Sequence, residues 1–237
     1  MAFESSQEYI GNELEVFSLA SNWGKYLRSQ ITPYLSGTVI EVGAGIGTKT
    51  KELCGNVSRY IAVEPDPIMY QTLSIEAGLN IAMKNVECLH GVIKDVSNNI
   101  LADAVIYIDV LEHIEADKEQ LELALSKIRP GGYLVVLSPA HQWLYTKFDR
   151  AIGHYRRYNK KSLLEITPPN SKIVCKRMLD SCGMLALLGN RLFLNNAMPS
   201  KSQILLWDRV MVPISRYLDH LTGFLIGKSI LVVWQKN

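Results

Sequence analysis

Along the chain, helically spaced apolar residues give way repeatedly to short β-branched runs. Between residues 5 and 35, Tyr9, Leu14, Phe17, Leu19, Trp23, Tyr26, Leu27 and Ile31 recur at mixed helical spacings until Pro33 ends the pattern, which predicts an N-terminal helical segment. Residues 38–42 form a β-branched run that breaks into glycines, as a buried strand does on entering a tight turn, and a helix over about 48–54 follows. Four more strand-like runs lie at 60–63, 86–90, 104–108 and 133–137. The helical stretches between them are clearest at 66–77 and 117–128, the second with Leu121, Leu125 and Ile128 on one face. Asn159 is placed to cap a helix running through Glu165, and residues 172–179 and 230–234 read as a sixth and a seventh strand.

Strands alternating with helices imply an α/β fold with a mostly parallel sheet, because a parallel crossover needs a dozen or more residues and a helix is its usual filler. The interval 182–228 is the longest between strands. It carries Ile204, Leu205, Trp207, Val210, Met211, Ile214, Tyr217, Leu218 and Leu221 at helical spacing, so it is expected to be helical rather than a loose loop. The 237 residues are thus expected to form one domain: an N-terminal helical cap over 1–37, a core over 38–180, a helical insertion over 181–228 and a last strand over 229–237.

Charge narrows the set of partners. Lys and Arg number 25 against 23 Asp and Glu, a net of +2, far from the dense positive surface that phosphate backbones require, so no nucleic-acid partner is expected. The start, MAFESSQEYIGNELEVF, lacks the basic stretch and apolar run of a secretory signal, and a cytoplasmic location is expected. Cys54, Cys88, Cys175 and Cys182 lie too far apart for a two-residue metal or redox spacing and are expected as reduced thiols. Apolar runs such as 184–188 and 230–234 fall well short of the roughly 18 residues a spanning helix needs, leaving peripheral membrane contact as the one membrane role open.

Chemistry first shows in Val39-Ile40-Glu41-Val42-Gly43-Ala44-Gly45-Ile46-Gly47-Thr48, where three glycines alternate between a strand and a helix. Without β-carbons the backbone turns sharply and approaches a ligand closely, and a helix N-terminus favours an anionic group. A tight strand-to-helix connection in some other α/β protein would read the same way. Glu64, seventeen residues beyond Gly47 at the end of the second strand, adds an acceptor for both hydroxyls of a ribose. The nicotinamide fingerprint wants a glycine three positions after Gly45, where this chain has Thr48, so NAD and an oxidoreductase role are disfavoured.

Taken in order, these segments resemble the class I S-adenosylmethionine-dependent methyltransferases. The glycine segment resembles that family's first motif and Glu64-Pro65-Asp66 its second; Ile108-Asp109-Val110-Leu111-Glu112-His113-Ile114 resembles the loop after strand four, and Arg129-Pro130-Gly131-Gly132 the turn into strand five. The resemblance implies a Rossmann-like seven-stranded sheet with helices on both faces, and S-adenosylmethionine as cofactor. It implies that Glu41, Gly43, Ala44, Gly45 and Gly47 line the methionine end, that Glu64 and Pro65 border the ribose, that Gly91 and Val92 border the adenine, and that Asp109 lies beneath the sulfonium. Family members often carry an acid directly after that glycine; this chain has Val92, leaving a backbone contact or Asp95 to serve.

Methyl transfer is an in-line displacement, so the protein chiefly aligns the acceptor and removes its proton. His113 is the candidate base, its ordinary pKa lying near working pH, against the alternative that it packs the start of a helix. A second cluster, His141, Tyr145, Asp149 and then Gly153-His154-Tyr155-Arg156-Arg157-Tyr158, follows strand five at the edge where open α/β sheets bind ligands. Its paired arginines suit an acceptor bearing phosphate or carboxylate, or else they pin the loop to Asp149. Asp109, Glu112, His113 and His154 also resemble the carboxylate and histidine set of some metal-assisted methyltransferases, in which a divalent cation lowers a hydroxyl's pKa. The preferred reading carries no metal. It is a methyltransferase acting on an O or N atom of a small or medium-sized, anionic or lipid-linked acceptor, as monomer or homodimer; the alternatives are a non-catalytic sensor or partner subunit that binds the same cofactor and a metal-assisted O-methyltransferase. Trp23, Tyr26, Phe193, Trp207 and Tyr217 are core residues, walls around an apolar acceptor or the seal of a dimer interface.

Overall fold

The computed structural model describes residues 16–189 and 200–237, so Tyr9, Leu14 and Phe193 lie outside the described residues. Seven strands form one sheet: β1 (Thr38–Val42), β2 (Arg59–Glu64), β3 (Val86–His90), β4 (Ala102–Ile108), β5 (Ile128–Pro139), β6 (Ser171–Leu179) and β7 (Ser229–Lys236), in the order β3-β2-β1-β4-β5-β7-β6. The pairs β3·β2, β2·β1, β1·β4 and β4·β5 are parallel, and β7 runs antiparallel between β5 and β6. The expected Rossmann-like, mostly parallel sheet is the one observed.

Between the strands lie α1 (Ser21–Ile31), α2 (Thr48–Leu53), α3 (Pro67–Leu79), α4 (Asp117–Ser126), α5 (Lys147–Ala151), α6 (Lys160–Glu165), α7 (Ser181–Gly189), α8 (Lys201–Leu206) and α9 (Val212–Leu221), with a π-helical segment, Trp207–Met211, joining α8 to α9. Helix α3 starts where Asp66 accepts the backbone N–H groups of Ile68 and Met69, both at 2.9 Å, with Pro67 in the first turn where its missing N–H costs nothing. Asn159 caps α6 in the same way through Lys161 and Ser162. Ile128 does not extend α4 as the periodicity suggested; the helix ends at Ser126 and Ile128 opens β5, pairing with Ala102. An i+3 apolar residue at a helix end reads the same whether the chain continues the helix or turns into a strand.

Strand alternation divides the core. Val39, Tyr60, Ala62, Ala104, Ile106, Val135 and Leu137 face α1, α2 and the C-terminal cap, whereas Ile40, Val42, Ile61, Val63, Val105, Tyr107, Leu134 and Val136 face Leu121, Ala124, Leu125 and Leu163. Carboxyl ends of β1, β2 and β4 line up, with Val42 paired to both Val63 and Tyr107. Strand order reverses between β1 and β4, which opens the crevice where such sheets take ligands.

The cap is fastened by buried acids. Asp208 accepts the N–H of Trp23 at 2.9 Å, and Asp219 accepts the Tyr26 hydroxyl at 2.7 Å and the N–H groups of Asp180 and Ser181. Asp180 in turn accepts the Trp207 indole N–H at 2.7 Å and the Ser215 hydroxyl at 2.6 Å. Trp23, Tyr26 and Trp207 are therefore core residues, whereas Tyr217 is 69% exposed on the outside of the cap. Among the described residues no helix is long and apolar enough to cross a membrane.

Candidate active site

Gly43, Gly45 and Gly47 all have positive φ, at 73°, 57° and 88°. A β-carbon on Gly43 would stand 2.6 Å from Cγ2 of Val110, and one on Gly47 would stand 2.8 Å from Cδ1 of Leu73, so the turn exists only as bare backbone. Its N–H groups are largely engaged within the fold: Gly43 and Ala44 donate to the Val63 carbonyl, Gly47 to that of Ala44, and Gly45 to the Glu64 carboxylate at 2.7 Å. The turn thus offers close approach more than the free donors expected of it.

Glu64 ends β2 and accepts through both oxygens, Oε2 from Gly45 and Oε1 from the Asp66 N–H at 2.9 Å. One lone pair on each oxygen remains for a ribose hydroxyl. Burial pushes its carboxyl above the ordinary range, partly offset by these two backbone donors. Pro65 is exposed beside it, its carbonyl 3.2 Å from Nε2 of His90, whose ring stacks on Tyr70.

Glu41 is tied into the fold: its carboxylate is buried and accepts the Thr50 hydroxyl at 2.5 Å and the Tyr60 hydroxyl at 3.1 Å, linking β1 to α2 and β2. The reason is strand alternation, which puts Glu41 on the same inward face as Val39. Burial raises its pKa to about 7, the two hydroxyl donors pulling the other way.

Gly91, with φ at 152°, leaves β3 against Asp95, whose carboxylate accepts the Val92 N–H at 2.8 Å. Asp109, at φ 54°, stands just past the end of β4; the residue is partly open to solvent, yet burial of its carboxyl pushes the pKa up, with Lys49, His154 and Lys228 pulling the other way.

One turn further on, Glu112 is fully buried and neither of its carboxylate oxygens has a hydrogen-bond partner. Burial first, and then the nearby charge of Asp109, hold its carboxyl well above the ordinary range. Glu112, His113 and His154 each present one ligand-type atom, all within 4.8 Å of one another. The two imidazoles meet edge to face at 4.6 Å, and Nε2 of His154 lies 3.8 Å from Oε1 of Glu112. Burial and then the neighbouring His154 lower the pKa of His113 to about 4, so it is neutral at working pH. Asp149 holds His154 from behind, Oδ1 to Nδ1 at 2.9 Å.

The loop that carries His154 is fixed by the arginines in which the sequence suggested substrate contacts. Arg157 is buried and forks onto Asp149 at 2.7 and 2.9 Å; Arg156 binds Asp117 at 2.7 Å and the Glu115 carbonyl at 2.9 Å. Burial would raise the Asp149 carboxyl, yet the His154 and Arg157 hydrogen bonds outweigh it and hold the group well below the usual carboxylate range. The structure gives both arginines the loop-pinning arrangement. Tyr145 donates to the His154 carbonyl at 2.6 Å, Tyr155 is half exposed with its N–H on the Glu112 carbonyl, and Nε2 of His141 lies 2.9 Å from the Gly227 carbonyl. Tyr158, at the end of the cluster seen in the sequence, donates its buried hydroxyl to Asp117 at 2.7 Å and locks the same loop to α4; sequence reasoning missed Asp117 as the partner.

A family model described as a methyltransferase domain matches residues 20–187. No curated protein matches the chain. Among solved structures, it is similar to a methyltransferase from Haloferax volcanii in complex with the Trm112 methyltransferase activator, at 12% identity and TM-score 0.65, covering 98% of this chain and 99% of that one. A SAM-dependent methyltransferase from Archaeoglobus fulgidus matches at 18% identity and TM-score 0.60, over 97% and 100%. Coclaurine N-methyltransferase bound to N-methylheliamine and S-adenosylhomocysteine matches at 15% and 0.58, over 98% and 75%. At such identities the likeness is one of fold.

Proposed function

The chain belongs to the class I S-adenosylmethionine-dependent methyltransferase family, and from that premise we propose that it methylates an O or N atom of a small or medium-sized acceptor, with His113 receiving the acceptor's proton. S-adenosylmethionine supplies a methyl group already activated by a positively charged sulfur. The protein's own task is to hold cofactor and acceptor in line. The residues present fit that cofactor: positive φ at Gly43, Gly45 and Gly47 shapes a side-chain-free turn that a ligand can approach, and Glu64 keeps acceptor capacity for the ribose; Gly91 and Val92 would then border the adenine and Asp109 the sulfonium.

The observation that carries the proposal is the position of His113, a half-buried imidazole one turn beyond Asp109 at the carboxyl end of β4; its pKa, lowered to about 4, keeps it unprotonated but makes it a weaker base than an ordinary histidine. A base is needed only where the acceptor atom bears a proton, which selects hydroxyl and protonated amine acceptors. An anionic acceptor finds no unpaired guanidinium at Arg156 or Arg157. Calorimetric titration with S-adenosylhomocysteine tests the cofactor half. Release of S-adenosylhomocysteine across an acceptor panel, compared with His113→Ala, tests the catalytic half; undiminished turnover in that variant would refute the base role, and absence of turnover with every acceptor favours a cofactor-binding sensor.

A second reading is favoured by the two unpartnered oxygens of buried Glu112. With His113 and His154 they make a carboxylate and two imidazoles of a kind that holds a divalent cation, and Asp149 orients His154 as outer carboxylates commonly orient metal-binding histidines. Such a cation would acidify an acceptor hydroxyl in place of a base. A rise in melting temperature with manganese chloride that Glu112→Gln abolishes supports it.

A further inference from the structure

The C-terminal cap turns an apolar and cationic face outward and its carboxylates inward. Leu206, Val210, Pro213, Ile214, Tyr217 and Leu221 stand at helical spacing along α8, the π-helical segment and α9, and all are exposed, Tyr217 at 69% and Leu221 at 67%. Leu225 and Ile226, in the segment after the helix, are exposed at 67% and 44%. This is a second apolar face; Ile204, Trp207 and Val212 already supply the one that packs on the core.

Charge on the same segment is sorted by side. From Ser200 to Lys228 the acids are Asp208 and Asp219, both buried and engaged by α1 and by the end of β6. Lys201, Arg209 and Arg216 are exposed. Pro213, Arg216, Tyr217, His220 and Leu221 line an open, mostly apolar depression on this face. Two copies of the chain meeting symmetrically on this stripe would set Arg209 and Arg216 against like charges, with no exposed acid from this segment to offset them. A surface of opposite charge that also accepts apolar side chains meets both conditions.

We infer that this outer face of α8 and α9 lies in the plane of an anionic membrane surface, its apolar stripe at the boundary between headgroups and acyl chains and Lys201, Arg209 and Arg216 at the level of the phosphates. Tyr217, an apolar ring with a polar tip, suits that depth. The inference is independent of the catalytic reading, since it would hold for a chain that transfers no methyl group.

Co-sedimentation of the full chain with vesicles tests it. The protein is expected to pellet with vesicles of phosphatidylcholine and phosphatidylglycerol in equal parts, poorly with phosphatidylcholine alone, and less as salt rises. Ile214→Glu with Leu221→Glu is expected to abolish binding while leaving the thermal melt intact, because both positions are exposed. Arg209→Gln with Arg216→Gln, which keeps the apolar stripe, is expected to weaken binding to the anionic vesicles about thirtyfold. Failure to pellet with either vesicle, or equal binding by the double-Glu variant, overturns the inference. So does a dimer in gel filtration that the double-Glu substitution dissolves, since the stripe would then be an interface between copies.

Discussion

Glu64 accepts the backbone N–H of Gly45 at 2.7 Å, so the acid that closes β2 also fixes the glycine turn that follows β1. The two segments from which cofactor binding was inferred are therefore one mechanical unit. Replacing Glu64 by Ala removes both the proposed ribose acceptor and the brace on the turn. A hydrogen bond to a charged group contributes about 1.5–3 kcal/mol, so affinity for S-adenosylhomocysteine should fall about ten- to a hundredfold by calorimetry. An unchanged dissociation constant would place the ribose elsewhere.

Glycine substitutions should separate the turn from an ordinary helix position. Gly43→Ala forces a β-carbon against Val110 at a φ of 73°, and is expected to abolish cofactor binding and lower the melting temperature. Gly78, inside α3, has nothing within 4 Å of where its β-carbon would stand. Gly78→Ala should raise stability by about 0.5–1 kcal/mol in urea denaturation and leave cofactor affinity alone.

The turn was legible because its signals are local: alternating glycines after a β-branched run, and an acid at the end of the next strand. Strand positions were legible for the same reason, since a buried parallel strand writes itself as a continuous apolar run. What the sequence withheld were pairings. For Arg156 and Arg157 the sequence offered Asp149 as the alternative to an anion site, but Asp117, 39 residues from Arg156, was not visible as a partner. Glu41 could have been assigned inward, because it shares a strand face with Val39, but nothing marks Thr50 and Tyr60 as its partners. The buried acids Asp180, Asp208 and Asp219 did leave a trace, as isolated carboxylates in apolar stretches, and that pattern would have predicted a fastened cap.

The Arg157 pair predicts a stability difference. Asp149→Ala leaves the Arg157 guanidinium buried without its fork and His154 without its orienting partner, which should cost about 3–5 kcal/mol in urea denaturation. Arg156→Gln touches a side chain that is one-third exposed and should cost less than about 1 kcal/mol. Equal losses in the two variants would contradict the contrast in burial.

Glu41 should make stability depend on pH. Its folded pKa, raised to about 7 from an ordinary 4.5, means that the folded state holds a proton the unfolded state releases. The contribution is complete below about pH 4.5 and disappears as pH rises through about 7, amounting to about 3 kcal/mol over that window. Glu41→Gln removes this dependence, so the variant should gain on the wild type between pH 5 and pH 8. Parallel denaturation profiles at the two pH values would show that Glu41 titrates in its ordinary range.

His113 and His154 decide between a base and a cation site, because the two readings load them differently. If His113 acts alone as base, its replacement by Ala should lower turnover by about 10²–10⁴, whereas His154→Ala, which removes the ring packed edge to face against it, should act mainly through packing. With its pKa lowered to about 4, His113 remains unprotonated as pH falls from 7 to 5, so the acid limb of kcat/KM should lie well below the ordinary histidine value of 6.5. If instead Glu112, His113 and His154 hold a divalent cation, the two histidine variants should lose turnover alike, and a chelator should reproduce either loss in the wild type. Turnover that resists chelation and shows an acid limb near pH 4 would assign the proton to His113; chelator sensitivity shared by both variants would transfer that role to the cation and leave the histidines as its ligands.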